Sequence, residues 1–209
     1  MDVKFSPDEF AKLKDILPVY EWAQRALLTK LSIIQDSLKT SPNDGLIENI
    51  KGRIKAPERI AAKLYKFNLD ITAANAKNHL YDIAAVRIIC SFARDIYYLL
   101  DLLRIMPDIT ILEEKDYITN PKPSGYRSYH LLVKVPIFYS GKTEHVPAEI
   151  QIRTEAMNFW ATLEHKARYR YKEAIPKYLS DELEACAKHI AQLDEKMFQI
   201  HEKVSSILS

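Results

Sequence analysis

The chain has 209 residues, 47% hydrophobic and 28% charged, a composition that suits one folded domain with a sizeable core and excludes a disordered segment. Lysine and arginine total 30 against 28 aspartates and glutamates, a net charge of +2, so neither a nucleic-acid coat nor an acidic tail is indicated and any basic site must be local. Glycine is scarce: Gly45, Gly52, Gly125 and Gly141 are the full set, against about fifteen at average usage. Neither GxGxxG nor GxxxxGK[ST] can be written with them, so a bound nucleotide would have its phosphates held by side chains.

The first residues carry no charged-then-apolar signal pattern, and no apolar run approaches membrane-spanning length. Ser6-Pro7-Asp8-Glu9 reads as a helix start, with Ser6 as cap and Glu9 closing a capping box. Pro18 interrupts, and a second helix is expected from about Val19 to Leu38, with Trp22, Leu27, Leu31 and Ile34 at helical spacing. Thr40 to Gly45 is a loop, and a further helix follows Pro57 with Ile60, Leu64 and Phe67 on one face. Ile83 to Phe92 reads as a buried strand. Ile96, Leu99, Leu100 and Leu103 then mark a helix with one apolar stripe, and Ile109 to Leu112 another strand. Tyr129–Phe138 and His145–Arg153 are expected to pair across a turn at Ser140-Gly141-Lys142. In the second of these, Ile150 and Ile152 face one way and Glu149, Gln151 and Arg153 the other.

The last third is helical. Thr154 to Tyr171 carries Met157, Trp160 and Leu163, and the segment around Asn158-Phe159-Trp160 is expected to be mostly core. Pro176 breaks the chain and Ser180-Asp181-Glu182 starts the final helix. There Ile190, Leu193, Met197, Ile200, Val204 and Ile207 alternate in steps of three and four, a seam for the N-terminal helices of the same chain or for another subunit. Cys90 and Cys186 lack CxxC spacing and read as reduced thiols of a cytoplasmic protein.

Chemistry concentrates in three clusters. Lys51-Gly52-Arg53-Ile54-Lys55 precedes Arg59, Lys63 and Lys66, which share a helix face and with Arg53 and Lys55 could converge on a polyphosphate. On these residues alone a solvated basic face is the stronger alternative. The loop from Tyr117 to His130 is crowded with Tyr, Lys, Arg and His, suited to a base and its phosphates or, equally, to packing on a sheet. Asp82 precedes one strand and Glu149 lies on the polar face of another. Strands of one sheet can bring such acids together, where they could bind Mg²⁺ through oxygen, whereas taken separately each reads as a surface charge. No HExxH, GxSxG or cysteine–histidine zinc spacing occurs.

Five segments in order resemble the RelA/SpoT-type alarmone synthetases: Arg53-x-Lys55; Asp82-Ile83-Ala84-x-x-Arg87-Ile88; Gly125-Tyr126-Arg127-Ser128-x-His130; Glu149-Ile150-Gln151-Ile152-Arg153-Thr154; and Ala156-Met157-x-Phe159-Trp160-Ala161-x-x-Glu164-His165. The length is similar to that of the single-domain small synthetases. The resemblance implies an α/β fold, a mixed sheet flanked by helices and related to nucleotidyltransferases. The synthetase core would span about 45–175, with helical flanks 1–44 and 176–209. It implies pyrophosphate transfer from ATP to the 3′-hydroxyl of GDP or GTP, giving ppGpp or pppGpp respectively, with AMP released.

By that resemblance Arg53 and Arg87 embrace adenine, while Lys55, Lys63 and their neighbours, Arg59 among them, hold the ATP phosphates. Asp82 binds Mg²⁺, and Glu149 binds it too or acts as base. Tyr126 stacks on guanine, and Lys122, Arg127, His130 and Gln151 contact the acceptor. Relatives often have Ser at the position of Arg59. No His-Asp dipeptide occurs, which implies synthesis without built-in degradation. Some small relatives form tetramers activated by their product; Asn158 fits that subgroup, whereas Asn49 and Lys51 differ from its usual Phe and Thr. The rival reading is a catalytically inactive RNA- or protein-binding module on the same fold, since basic residues interleaved with Tyr also suit single-stranded RNA. RNA binding could also coexist with activity as regulation.

Overall fold

The computed structural model describes residues 7–41, 44–170 and 175–208. β1 (Ile47–Ile54), β2 (Ala84–Cys90), β3 (Thr110–Asp116), β4 (Tyr129–Tyr139) and β5 (Lys142–Thr154) form one five-stranded sheet in the order β1-β2-β5-β4-β3. β2 and β5 run parallel and the other neighbours antiparallel, so the sheet is mixed as expected. The β4–β5 turn is tight: Tyr139 pairs with Lys142, and Ser140 and Gly141 both take positive φ, at 50° and 78°. This is the two-residue connection whose twist matches that of the strands.

Alternation decides which face of the sheet is buried. Val86 and Ile88 of β2, Ile150 and Ile152 of β5, and Leu131, Val133 and Val135 of β4 lie in one apolar cluster with helical partners. Helices α1 (Pro7–Asp15) and α2 (Leu17–Leu38) supply Leu13, Leu27 and Leu31 to it. Gln24 Nε2 donates to Ala85 O at 3.1 Å and Gln35 Nε2 to Ile47 O at 2.8 Å, which pins α2 to β2 and β1. Trp22 of α2 is exposed rather than core, lying against Tyr139 at the hairpin. Helices α3 (Pro57–Lys66) and α4 (Ala73–His79) follow β1. In α5 (Ala93–Arg104) the expected stripe of Ile96, Leu99, Leu100 and Leu103 is fully or almost fully buried. The Asp95 carboxylate caps its first turn, accepting from Phe92 N at 2.9 Å.

α6 (Glu155–Arg170) and α7 (Lys177–Leu208) close the chain. Met157, Trp160 and Ala161 are buried, but Phe159 and Leu163 are exposed, so the segment around Trp160 is less of a core than its apolar content suggests. Trp160 Nε1 donates to Leu183 O at 3.0 Å, joining α6 to α7. Ile190 packs beside Trp160, whereas Leu193, Met197, Ile200, Val204 and Ile207 are exposed. The seam therefore does not pack on the N-terminal helices. Two further elements depart from the sequence pattern. β1 was hidden by a register shift between Ile47 and Asn49, which breaks the period of two. α4 buries only Ala76 and so has no stripe, although Thr72 caps it by accepting from Asn75 N. The expected cap at Ser6 and the loop positions Pro42 and Asn43 lie outside the described residues. Among the described residues no helix is long and apolar enough to cross a membrane.

Candidate active site

Strand register builds the site, because directly opposed residues present their side chains on one face. Lys51 pairs with Arg87, Arg87 with Gln151, Gln151 with His130, and His130 with Lys115, one row across all five strands. The adjacent row runs Arg53, Ala85, Glu149, Leu132. Ala85 is the small member, and a cleft of about 400 Å³ opens there, lined by Arg53, Lys55, Asp82, Arg87, Glu149 and Gln151 among others. Lys55 N donates to Ile83 O at 2.8 Å, so the residue after β1 and the residues before β2 meet at one end of the cleft.

Asp82 Oδ2 is held by the ammonium groups of Lys55 and Lys63, the latter at 2.8 Å. Burial pushes this carboxyl up, but the two lysines outweigh it and hold it below the usual carboxylate range. Burial in turn lowers Lys55 despite the opposing pull of Asp82. Arg87 is likewise lowered, by burial and then by Arg153 close by. A wall of partly desolvated cations lies beside few anions, an arrangement whose balance a polyphosphate would restore.

Glu149 belongs to a closed ring of hydrogen bonds. Its Oε1 accepts from His130 Nδ1 at 2.8 Å and its Oε2 from Gln151 Nε2 at 2.7 Å. Arg153 Nη2 donates to Gln151 Oε1 at 3.2 Å and to Tyr126 Oη at 2.7 Å. The Tyr126 hydroxyl meets His130 Nε2 at 2.7 Å. The Glu149 carboxylate can only accept, so the imidazole proton lies on Nδ1 facing it, and in the neutral ring Nε2 then accepts from the hydroxyl. Burial raises the Glu149 carboxyl, yet its bonds to His130 and Gln151 bring it below the ordinary range. A carboxylate so well supplied with donors is a weak proton acceptor, and its stronger asset is fixed negative charge.

A model of a region found in RelA and SpoT proteins matches residues 52–174. The GTP pyrophosphokinase YwaC of Bacillus subtilis is 46% identical over 91% of this chain and 91% of its own length. The chain belongs to the RelA/SpoT family. Among solved structures, small alarmone synthetase 2 of B. subtilis superposes with a TM-score of 0.81 at 45% identity, over 91% of this chain and 98% of that one. Small alarmone synthetase 1 of the same organism, bound to its product pppGpp, gives 0.82 at 37% identity over 88% and 94%. The same enzyme bound to AMPCPP gives 0.77 at 32% identity over 92% and 98%.

Within this RelA/SpoT fold the expected site residues divide into three groups. Arg53, Lys55, Arg87, Asp82, Glu149 and Gln151 share the cleft, and Lys63 joins them through Asp82. His130 and Tyr126 connect through the Glu149 ring, and Lys122 lies 4.9 Å from the Tyr126 ring centroid and 4.5 Å from that of Tyr117. Arg59 and Arg127 stand apart. Arg59 is exposed on α3 and does not line the cleft. Arg127 turns away, its Nε donating to Ile118 O at 3.3 Å and its side chain lining a cavity against α7. Arg153 is the residue that the sequence placed on the right strand face without giving it a role. It is 5% exposed and ties Tyr126 to Gln151.

The acids also fit a divalent cation. Asp82 Oδ1 is buried without a hydrogen-bond partner, while Oδ2 takes both lysines. Among the described residues no three His, Cys, Asp or Glu side chains converge, so an ion held at Asp82 and Glu149 would complete its shell from phosphate and water. Mg²⁺ binds in that manner, through one or two carboxylates plus substrate phosphates.

Proposed function

We infer that this protein is a (p)ppGpp synthetase, transferring the pyrophosphate of ATP to the 3′-hydroxyl of GDP or GTP and releasing AMP. The observation that carries the reading is the placement of Asp82 and Glu149 in one cleft, between a cationic wall and a tyrosine-rich loop. Pyrophosphate transfer needs donor phosphates neutralised, a hydroxyl aligned on the β-phosphorus, and charge compensated as the bond to AMP breaks. Arg53, Lys55, Lys63 and Arg87 form the donor side, Arg53 and Arg87 toward adenine and the lysines toward phosphate. Tyr126, with Lys122, His130 and Gln151, forms the acceptor side. Lys122 covers one face of Tyr126, so a guanine stacking on that face would displace its ammonium toward the acceptor phosphates. Mg²⁺, bound at Asp82 and Glu149, would neutralise charge on the transferred group. The named relatives and the neighbours carrying pppGpp and AMPCPP support this assignment. A decayed binding module would have no reason to keep both acids and the whole donor set.

Incubation with Mg²⁺, ATP labelled at the γ-phosphate, and GDP or GTP is expected to give labelled guanosine tetra- or pentaphosphate on chromatography. No labelled product with either acceptor would refute the reading. The use of ATP and GDP or GTP as substrates supports a cytoplasmic location. A homo-oligomer, a tetramer by resemblance, is supported by the exposed stripe Leu193, Met197, Ile200, Val204 and Ile207 on α7, which a partner helix would cover. Met197→Glu is expected to reduce the mass measured by light scattering to that of a smaller species; an unchanged mass would place the interface elsewhere.

A further inference from the structure

Helix α7 does more than offer that stripe, because its other side bears on the acceptor loop. A side chain at Gly125 would place its Cβ 2.4 Å from the Cβ of Ala187, so backbone and helix are already in contact there. Ala187, Ile190, Ala191 and Asp194 line a small cavity with Gly125 and Arg127. One turn beyond Ile190, Asp194 Oδ2 accepts from Thr154 Oγ1 at 2.7 Å. Thr154 is the last residue of β5, and its hydroxyl oxygen also accepts from Met157 N at 3.2 Å, capping α6. The carboxylate thus fixes the proton of Thr154 away from the cap, leaving the lone pair for Met157. Burial raises the Asp194 carboxyl, an effect opposed by the Thr154 bond and by the charge of Arg127.

Asp194 therefore bonds the end of the strand carrying Glu149 and Gln151, at the residue that caps α6, and lines a cavity together with Arg127, the neighbour of Tyr126. No residue of α7 lines the donor cleft. We propose that Asp194 is a positioning residue for the acceptor nucleotide, holding α7 against the Gly125–Arg127 loop through Thr154 so that Tyr126 and its ring of partners are preset for GDP or GTP. The assignment rests on the synthetase reading and on the acceptor side given above.

The test measures binding of GDP and of AMPCPP separately by calorimetry, without turnover. Asp194→Ala is expected to weaken GDP roughly fivefold or more while AMPCPP changes less than about twofold, the pattern of a lost acceptor-side contact. Asp194→Asn, which keeps an oxygen for the Thr154 hydroxyl, and Thr154→Ser, which keeps the hydroxyl, should both retain most of the GDP affinity. Thr154→Val should behave like Asp194→Ala. Equal losses for both ligands, or none for either, would overturn the proposal. If GDP weakens just as much in Thr154→Ser, the hydroxyl bond is not the link and the proposal fails. A wild-type protein that binds neither nucleotide would instead overturn the synthetase reading, and the proposal with it.

Discussion

Asp82→Asn is expected to reduce pyrophosphate transfer by about a hundred- to a thousandfold, the range seen when a single preorganised charge-stabilising group is removed, with most of the loss in kcat. The amide is isosteric, so the cleft keeps its shape. What changes is charge: Lys55 and Lys63 lose their shared partner, and the free Oδ1 becomes a poorer ligand for a cation. Loss of Asp82 removes an attraction that keeps Lys55 protonated against its burial. Part of the deficit would therefore come from a less charged donor wall, which Lys55→Arg in the Asp82→Asn background separates from the loss of the acid. Glu149→Gln should be similarly severe for a different reason. The substituted amide can satisfy either His130 or Gln151 through its oxygen, but its NH₂ must then face a donor. Rates of both variants within tenfold of wild type, with unchanged melting curves, would refute the assignment of the acids.

The pH behaviour follows with a definite sign. Both carboxyls are held below their ordinary values, so both stay ionised at neutral and mildly acid pH. Their contribution to stability is complete above the unfolded values of about 4 and is lost as pH falls through the lower folded values. An acid limb of kcat centred near pH 6 would accordingly belong to another group.

The site was legible in the sequence because five segments in order resemble one family, and within the last strand because strict alternation sorts its faces. Glu149, Gln151 and Arg153 alternate with Ile150 and Ile152, so their common face needed no structure. That Arg87 lies opposite Gln151, and Lys51 opposite Arg87, could not be read, because pairing is a long-range property. β1 shows the limit most clearly: its bulge puts Ile47 and Ile50 out of step, and what remained visible was a basic cluster without an element to carry it. Arg127 shows another. It stands beside Tyr126 in a loop where every side chain had plausible ligand chemistry, and only backbone direction distinguishes the one facing Glu149 from the one facing α7. Asp194 is 40 residues from its partner Thr154 in sequence and carried no motif. Its role depends on a helix crossing that local patterning does not encode.

Gly125→Ala is expected to be the most damaging small substitution outside the charged site. Gly125 has φ of +84°, a region that costs a residue with a Cβ about 1–2 kcal/mol. The added methyl would also meet Ala187 at 2.4 Å, far inside contact, and relief by moving helix or loop costs about 1–3 kcal/mol more. The sum predicts a melting temperature lower by on the order of 10 °C for a chain of this size. Because the displaced loop carries Tyr126, acceptor binding should weaken along with stability. The two causes are separable by adding Ala187→Gly, which vacates the space but leaves φ unchanged. The double variant should therefore regain the steric part of the loss and retain the conformational part. Full recovery would mean that the backbone at 125 adapts without strain. No recovery would mean that the contact between α7 and the acceptor loop contributes nothing to either property, and a single variant indistinguishable from wild type would remove the contact altogether.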